Sequence, residues 1–442
     1  MISHQNHQQR LNGNRLVSFL LKSVMLCLFL ASYLCSFSQE KIQFGYHDES
    51  GNVIDIEATQ KDNNDNEDTL VGQLEDTLVG QLDIDSNNLI DSFQTVVDTS
   101  FLNVLSDITI SVLLPLNTDK NTEFQQHLPT GHIEIHNTSR FALDFLEGIL
   151  FAVDSFSALG KSVHLNIFDT KRDRKVVEEI LNNNLLGSSD IIFGPIFSEN
   201  YKLVRDRYRN DPNKVLVNPL SSRLHFLYNS HNIFFLNPVR LIMQDSISSF
   251  LYKDNKEVMI ITYQDINKKN ANLLKNKIST DSNNSVSVYN FNNLNDVDRH
   301  QCEKLIGSNG RYLVVMTDDE AFVNRFISFA GMNEQDVVII GSPSWRKFTD
   351  LNIETLMKLN VHIPIPNFID HNSLVNKQMF NGFEKRFYHQ MNLHSYISFK
   401  SILHFVFDIP QFDFIKLSNQ SGYVNTDVRM CVYRDYGLHI IE

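Results

Sequence analysis

Residues 163–220 read VHLNIFDTKRDRKVVEEILNNNLLGSSDIIFGPIFSENYKLVRDRYRNDPNKVLVNPLSS, and they constrain the fold more than any other stretch. Three short apolar runs, Val163–Phe168, Asp190–Phe193 and Val215–Val217, alternate with two amphipathic segments of helical length. Each run ends in turn-forming residues: Asp169-Thr170, Gly194-Pro195 and Asn218-Pro219. A strand covered by helices on both faces has no reason to alternate, so continuous apolar runs separated by helices describe successive βαβ units of a parallel sheet. Ligands of such sheets bind outside the carboxyl ends of the strands, which is where these three turns fall.

The same rhythm extends in both directions. Ile108–Leu114 reads as a first central strand closed by Pro115, and Ser139 can cap a helix running to about Leu159, with Gly160 as its stop. After Ile233–Leu236 and Asn237-Pro238 the pattern restarts. It predicts helices over 240–254, 267–279, 296–306 and 319–331, with strands Val258–Thr262, Val286–Tyr289, Tyr312–Met316 and Val337–Ile340 between or after them. Ile363-Pro364-Ile365-Pro366 is extended, because each proline biases its predecessor away from helix. Helices at 373–391 and 396–407 follow, and Val428–Tyr433 and Leu438–Ile441 close the chain as strands. The expected class is α/β, with two doubly wound parallel-sheet lobes joined by multiple crossings.

At 442 residues the chain has room for two such lobes after a leader. Arg10, Arg15 and Lys22 precede the apolar run Val24–Leu34, and Ser36-Phe37-Ser38 offers a small-x-small site with cleavage before Gln39. Lipidation at Cys35 and a retained N-terminal anchor are the alternatives. The net charge of −13 is concentrated: Asp48 to Asp91 holds thirteen acids against the single base Lys61. This acidic segment contains Glu67–Leu74, EDTLVGQL, repeated unchanged as Glu75–Leu82. Two copies are too few for a solenoid, and like charge with low apolar content describes a solvated tether. The expected division is 1–38 signal peptide, 39–106 tether, 107–238 plus 367–412 one lobe, and 239–366 plus 425–442 the other.

Several functions are disfavoured by what the sequence lacks. There is no basic stripe for nucleic acid, no GxSxG, HExxH or P-loop lysine motif, and no Cys/His cluster for zinc. No enzyme activity, metal or cofactor is therefore expected, and lone histidines such as His225 and His404 read as packed or solvated residues. Cys302 and Cys431 remain beyond the leader, either as a disulfide or as two separate buried thiols.

The order and spacing of several segments resemble the type 1 periplasmic-binding-protein fold, in particular the branched-chain amino-acid receptor family. The carriers are Ser111–Pro115, Phe145–Ile149 with Ala152 and Asp154, Phe168-Asp169-Thr170, Asp190–Pro195, Val217–Ser222, Gly341–Trp345 and Asn425 through Tyr436. The nearest look-alikes are exported bacterial proteins in which this module follows a peptidoglycan-binding LysM domain; here the acidic tether takes that place. The resemblance implies a periplasmic, non-enzymatic protein holding an amino-acid-like small molecule in a cleft between lobes, with a membrane permease as partner. It equally admits an envelope protein with a degenerate pocket and a peptidoglycan-synthesis partner. On the family's pattern Ser198 and Ser222 fall where the ligand head group is held, with Ser221 beside them, and Trp345, Asp169 and Glu199 are further ligand candidates. For the serines and the two acids, helix capping and turn formation are the alternative roles, and for Trp345 a place in the core or hinge. The family's Asp and Tyr-Gly after the first strand of the second lobe are replaced by Tyr263–Asn267, and its late Gly-Tyr-Asp by residues around Lys400–Ile402.

Overall fold

The computed structural model describes residues 107–121, 135–157, 160–252, 256–282, 284–307, 311–333, 337–371 and 373–441. The expected leader and the repeat-bearing tether lie outside the described residues. Two compact units divide the chain, one within Thr99–Val204 and Ile369–Gln411, the other within Arg205–Phe368 and Phe412–Glu442.

The first sheet begins with β1 (Asp107–Leu114), β2 (Ser162–Asp169), β3 (Ile191–Phe193), β4 (Val215–Asn218) and β5 (Ile233–Phe235), and ends with β11 (Phe414–Lys416) and β12 (Tyr423–Asn425). Its strand order is β11-β12-β5-β4-β3-β1-β2. The second contains β6 (Val258–Tyr263), β7 (Val286–Phe291), β8 (Tyr312–Val315), β9 (Val338–Ile340), β10 (Val361–Pro366), β13 (Val428–Arg434) and β14 (Gly437–Ile440), in the order β14-β13-β10-β9-β8-β6-β7. Each sheet thus repeats one winding, and both are mostly parallel: β1 pairs in parallel with β2 and β3, and β6 with β7 and β8. Only the late strands run antiparallel, β11 to β12, β13 to β10 and β14 to β13. The segment 413–424, which the sequence pattern left outside both lobes, supplies β11 and most of β12.

Pro364 and Pro366 sit inside β10 without breaking it. The β9 ladder stops at the pair His362–Ile340, whereas pairing with β13 continues to Pro366. Beyond His362 one side of the strand is open, so a missing N–H there leaves no ladder bond unmade.

Helices α1 (Asn137–Phe156), α2 (Arg174–Asn182), α3 (Ser198–Tyr208), α4 (Arg240–Leu251), α5 (Lys268–Asp281), α6 (Arg299–Ile306), α7 (Glu320–Ala330), α8 (Ile353–Lys358), α9 (Leu374–Phe387) and α10 (Leu393–Phe405) connect the strands. Their boundaries follow the caps. The helix expected over 296–306 instead starts at Arg299, because Asp298 turns its carboxylate onto the Gln301 N–H at 2.8 Å. Ser139 lies within the first turn of α1 rather than capping it, and α9 stops early because Tyr388 adopts a left-handed conformation, φ 62°.

Within the first unit, α1 crosses α10 at Gly148, where an added Cβ would stand 2.1 Å from both Ser395 O and Ser398 Oγ. Phe145 of α1 meets Phe193 of β3 edge-on at 6.0 Å. In the second unit one apolar core gathers Phe291, Phe322, Phe326, Trp345 and both cysteines. Cys302 and Cys431 are free and buried, so the thiol alternative holds and no bridge joins them. Among the described residues no helix is long and apolar enough to cross a membrane.

Candidate functional site

In a doubly wound sheet the crevice opens where successive crossovers leave in opposite directions. In the first sheet that point lies between β1 and β3, and in the second between β6 and β8. The loops after these strands are the candidate site of each sheet.

At the end of β2, Asp169 organises the first rim. Its Oδ1 accepts the N–H groups of Asn117 (3.0 Å) and Lys171 (2.9 Å), and its Oδ2 accepts the N–H (2.9 Å) and hydroxyl (3.0 Å) of Thr118. Burial alone would push this carboxyl up. The bonds from Thr118, Lys171 and Asn117 outweigh that and hold it below the ordinary aspartate range. Asp169 therefore ties the loop after β1 to the turn after β2 and has both oxygens engaged. That turn, Thr170 to Asp173, closes through the Asp173 N–H to Thr170 O at 2.8 Å. Its central residues Lys171 and Arg172 lie at φ 49° and 55°, a conformation usually given to glycine or asparagine.

The Arg172 guanidinium stacks over the Phe197 ring, 4.3 Å from its centroid. This contact brings the β2 turn to the loop that follows Gly194-Pro195, immediately before Ser198. Gly194 is required there: its φ is +79° and a Cβ would meet Leu113 O at 2.5 Å. Ser198 is the half-buried first residue of α3, Glu199 is exposed in its first turn, and Asn200 is buried, with an amide nitrogen that has no hydrogen-bond partner.

Ser221 and Ser222 belong to the other unit. After β4, Asn218 Oδ1 accepts the N–H groups of Leu220 (3.1 Å) and Ser221 (2.7 Å), folding the Asn-Pro turn back on itself. Ser221 is buried and its hydroxyl accepts the Arg223 N–H at 3.1 Å; Ser222 is half-buried. After β6 the departure at Tyr263–Asn267 is a second glycine-free turn, with Gln264 and Asp265 at φ 53° and 58° and the Ile266 N–H reaching Tyr263 O. Asn267 Nδ2 donates to Met316 O at 3.0 Å and so fastens this turn to the end of β8.

Trp345 is 1% exposed. Its indole N–H donates to Thr317 O at 3.3 Å, and its ring packs where a Cβ on Gly341 would fall, so it braces the loops after β8 and β9 from inside the core. Ser344 donates its hydroxyl to Asp318 Oδ1 on the same rim. Around Lys400–Ile402, α10 is buried, with Lys400 Nζ 5.4 Å from the Tyr396 ring. Among the described residues no group of three or more His, Cys, Asp or Glu is placed to hold a metal ion.

Sequence reasoning passed over Arg172, Phe197 and Asn218. A glycine-free Thr-Lys-Arg-Asp turn directly after an apolar strand was the available signal for the first. Phe197 gains meaning only from its three-dimensional neighbour Arg172, whereas the role of Asn218 is local to the Asn-Pro turn already read from the sequence.

No family model matches the sequence, and no curated protein matches it. Solved structures do resemble it. One, described as a branched-chain amino acid ABC transporter from Rhodospirillum rubrum, aligns over 76% of this chain and 100% of its own at 11% identity, with a TM-score of 0.56. Full-length LpoA from Haemophilus influenzae aligns over 76% of this chain and 59% of its own at 14% identity, TM-score 0.51. The C-domain of LpoA, described as a regulator of PBP1A, aligns over 76% of this chain and 100% of its own at 13% identity, TM-score 0.50. With two matching seven-stranded, mostly parallel sheets, the chain has the two-sheet α/β fold of type 1 periplasmic-binding-protein-like structures.

Proposed function

We propose that this protein is an exported, non-enzymatic binding protein that holds an amino-acid-like small molecule at the carboxyl-end turns of its sheets. The observation that carries the reading is the hydroxyl at the first residue of α3, Ser198, at a strand-to-helix turn; in the other unit the Ser221-Ser222 pair after β4 offers hydroxyls of the same kind. A helix N-terminus and hydroxyl donors suit a carboxylate, while Glu199 supplies a counter-charge for an amine. Asp169 and Trp345 contribute by fixing the loops that carry the site. The proposed lobes are 107–238 with 367–412 and 239–366 with 425–442, behind a cleaved leader and the acidic tether, in the periplasm; lipidation at Cys35 or a retained anchor would change only the attachment. A membrane permease is the corresponding partner.

The test is a thermal-shift and calorimetric screen of the mature protein against free amino acids and cell-wall fragments. A ligand at about one hundred times its Kd stabilises the native state by about 2.7 kcal/mol, which a melting curve resolves. Binding should weaken at least tenfold in Ser198→Ala or Ser221→Ala. A screen in which no compound shifts the melting curve or gives heat removes this reading.

The likeness to LpoA favours a second reading, an envelope interaction protein whose partner is a peptidoglycan synthase. The resemblance to exported proteins that pair this module with a LysM domain points the same way. Recovery of a wall synthase from envelope extracts, with an empty ligand screen, would select it; recovery of a permease would select the first.

A further inference from the structure

We propose that Arg172 is the residue that sets ligand charge, selecting amino-acid-like molecules that carry a second carboxylate on the side chain. The inference rests on the ligand-binding reading above and adds the ligand class.

The basic residues around the β2 turn are not equivalent. Lys171 pairs with Asp119 at 3.0 Å, and Arg174 pairs with Glu178 at 2.8 Å. Arg172 has no carboxylate partner among the described residues, and its guanidinium lies over the face of Phe197. Arg172 is exposed, and a guanidinium held against a ring by its carbon still has N–H groups that can receive a carboxylate through two parallel bonds. Phe197 directly precedes Ser198, so the unneutralised cation stands beside the first turn of α3. An α-carboxylate at Ser198 and an amine at Glu199 would leave Arg172 for a further acid group.

The backbone holds Arg172 in place beside Phe197. Lys171 and Arg172 both occupy left-handed conformations that side-chain-bearing residues rarely adopt. Strained positions held by surrounding bonds, here those of Asp169 and Asp119, cluster at ligand clamps. Nearby acids oppose anion binding, but each is engaged except Glu199: Asp169 by four donors and Asp173 by the Lys175 N–H.

Calorimetry on the mature protein would use glutamate against glutamine and aspartate against asparagine, each in both enantiomers, with wild type, Arg172→Ala, Arg172→Lys and Phe197→Leu. The expected result is that an acidic amino acid binds about 10- to 100-fold more tightly than its amide, a range set by charge-assisted hydrogen bonds. Arg172→Ala should abolish that preference while retaining the weaker binding of the amide, and Arg172→Lys should recover part of it. Melting temperatures within about 2 °C of wild type would confirm that the variants are folded. An amide or neutral amino acid that binds as tightly as the acid, or a preference unchanged in Arg172→Ala, overturns the charge assignment and leaves the binding function standing. No binding of any acid, amide or neutral amino acid overturns both.

Discussion

The side chains of Asn425 and Asn367 meet at 2.8 Å, the Asn425 amide donating to Asn367 Oδ1 where both residues are almost wholly buried. Both amides also donate to Leu236 O, at 2.8 Å from Asn425 and 3.2 Å from Asn367. Asn425 Oδ1 accepts the Asp427 N–H, and the Asn367 N–H donates to Asp427 O, each at 3.0 Å. Three chain segments that leave one sheet for the other, after β5, after β10 and after β12, are thereby knotted through side-chain amides. Asparagine also suits Asn367 because its φ is +49°.

Removing one member of this knot leaves buried acceptors without donors. Asn425→Ala should destabilise the protein by about 3 kcal/mol, since the two bonds it donates and the one it accepts from Asp427 are lost and the orphaned groups stay desolvated. Asn425→Asp should be at least as damaging, because a carboxylate would face Asn367 Oδ1 and Leu236 O. Urea denaturation midpoints of the two variants, compared with an exposed control such as Asn295→Ala, check this.

The crossing of α1 and α10 gives a steric prediction. Gly148→Ala must push Ser395 O and Ser398 Oγ apart and should cost about 3 kcal/mol, toward the upper end for overpacked sites. Gly160 has φ +85° but nothing within 4 Å of an added Cβ, so Gly160→Ala should cost only about 1 kcal/mol of backbone strain. Equal losses in thermal melts of the two variants would show that helix contact is not what holds Gly148.

Both results bear on what the sequence revealed. Parallel strands buried on two faces announce themselves as apolar runs, which is why β1, β3 to β6, β8 and β9 were legible within a residue or two, while the partly buried edge strands β2 and β7 were marked by the helices and turns around them. β11 and β12 were not: each is three residues long and shares its segment with polar turns. α8, at six residues, is too short for a periodic signal. Ser198 and Ser222, with Ser221 beside it, became candidates through the family's pattern of residues after the Gly-Pro and Asn-Pro turns. Arg172 could not, because its distinction is the absence of a carboxylate partner, and partners such as the Asp119 of Lys171 lie 52 residues away. Trp345 looked available to a ligand only because sequence shows neither the Thr317 carbonyl nor the Gly341 surface against it.

The two thiols yield a labelling prediction. Burial pushes the Cys302 thiol up to about 12 and Cys431 up to about 11. Neither forms an appreciable thiolate at pH 8, and neither is accessible. Iodoacetamide treatment of the native protein, followed by peptide mass spectrometry, should leave Cys302 and Cys431 unmodified, and both should react fully in denaturant. Rapid native labelling of either would contradict the core packing described for β13 and α6.

His404 makes stability depend on pH. Burial first, and then the neighbouring Lys400 charge, lower its pKa from the ordinary 6.5 to about 4, and its Nδ1 accepts the Gln411 N–H at 3.1 Å. Because the folded value is depressed, the unfolded chain takes up the proton first as pH falls. The neutral, bonded imidazole therefore contributes its full stability above about pH 6.5, and that contribution drains away between there and about pH 4, where it levels off. A shift of this size corresponds to at most about 3 kcal/mol. Denaturant midpoints measured from pH 7.5 down to 4.5 should fall along this curve. In His404→Gln, which keeps an acceptor for Gln411 but does not titrate, the slope between pH 6.5 and 4.5 should be shallower. An unchanged slope would mean that the acid sensitivity arises from other groups and that this imidazole is not held neutral by its burial.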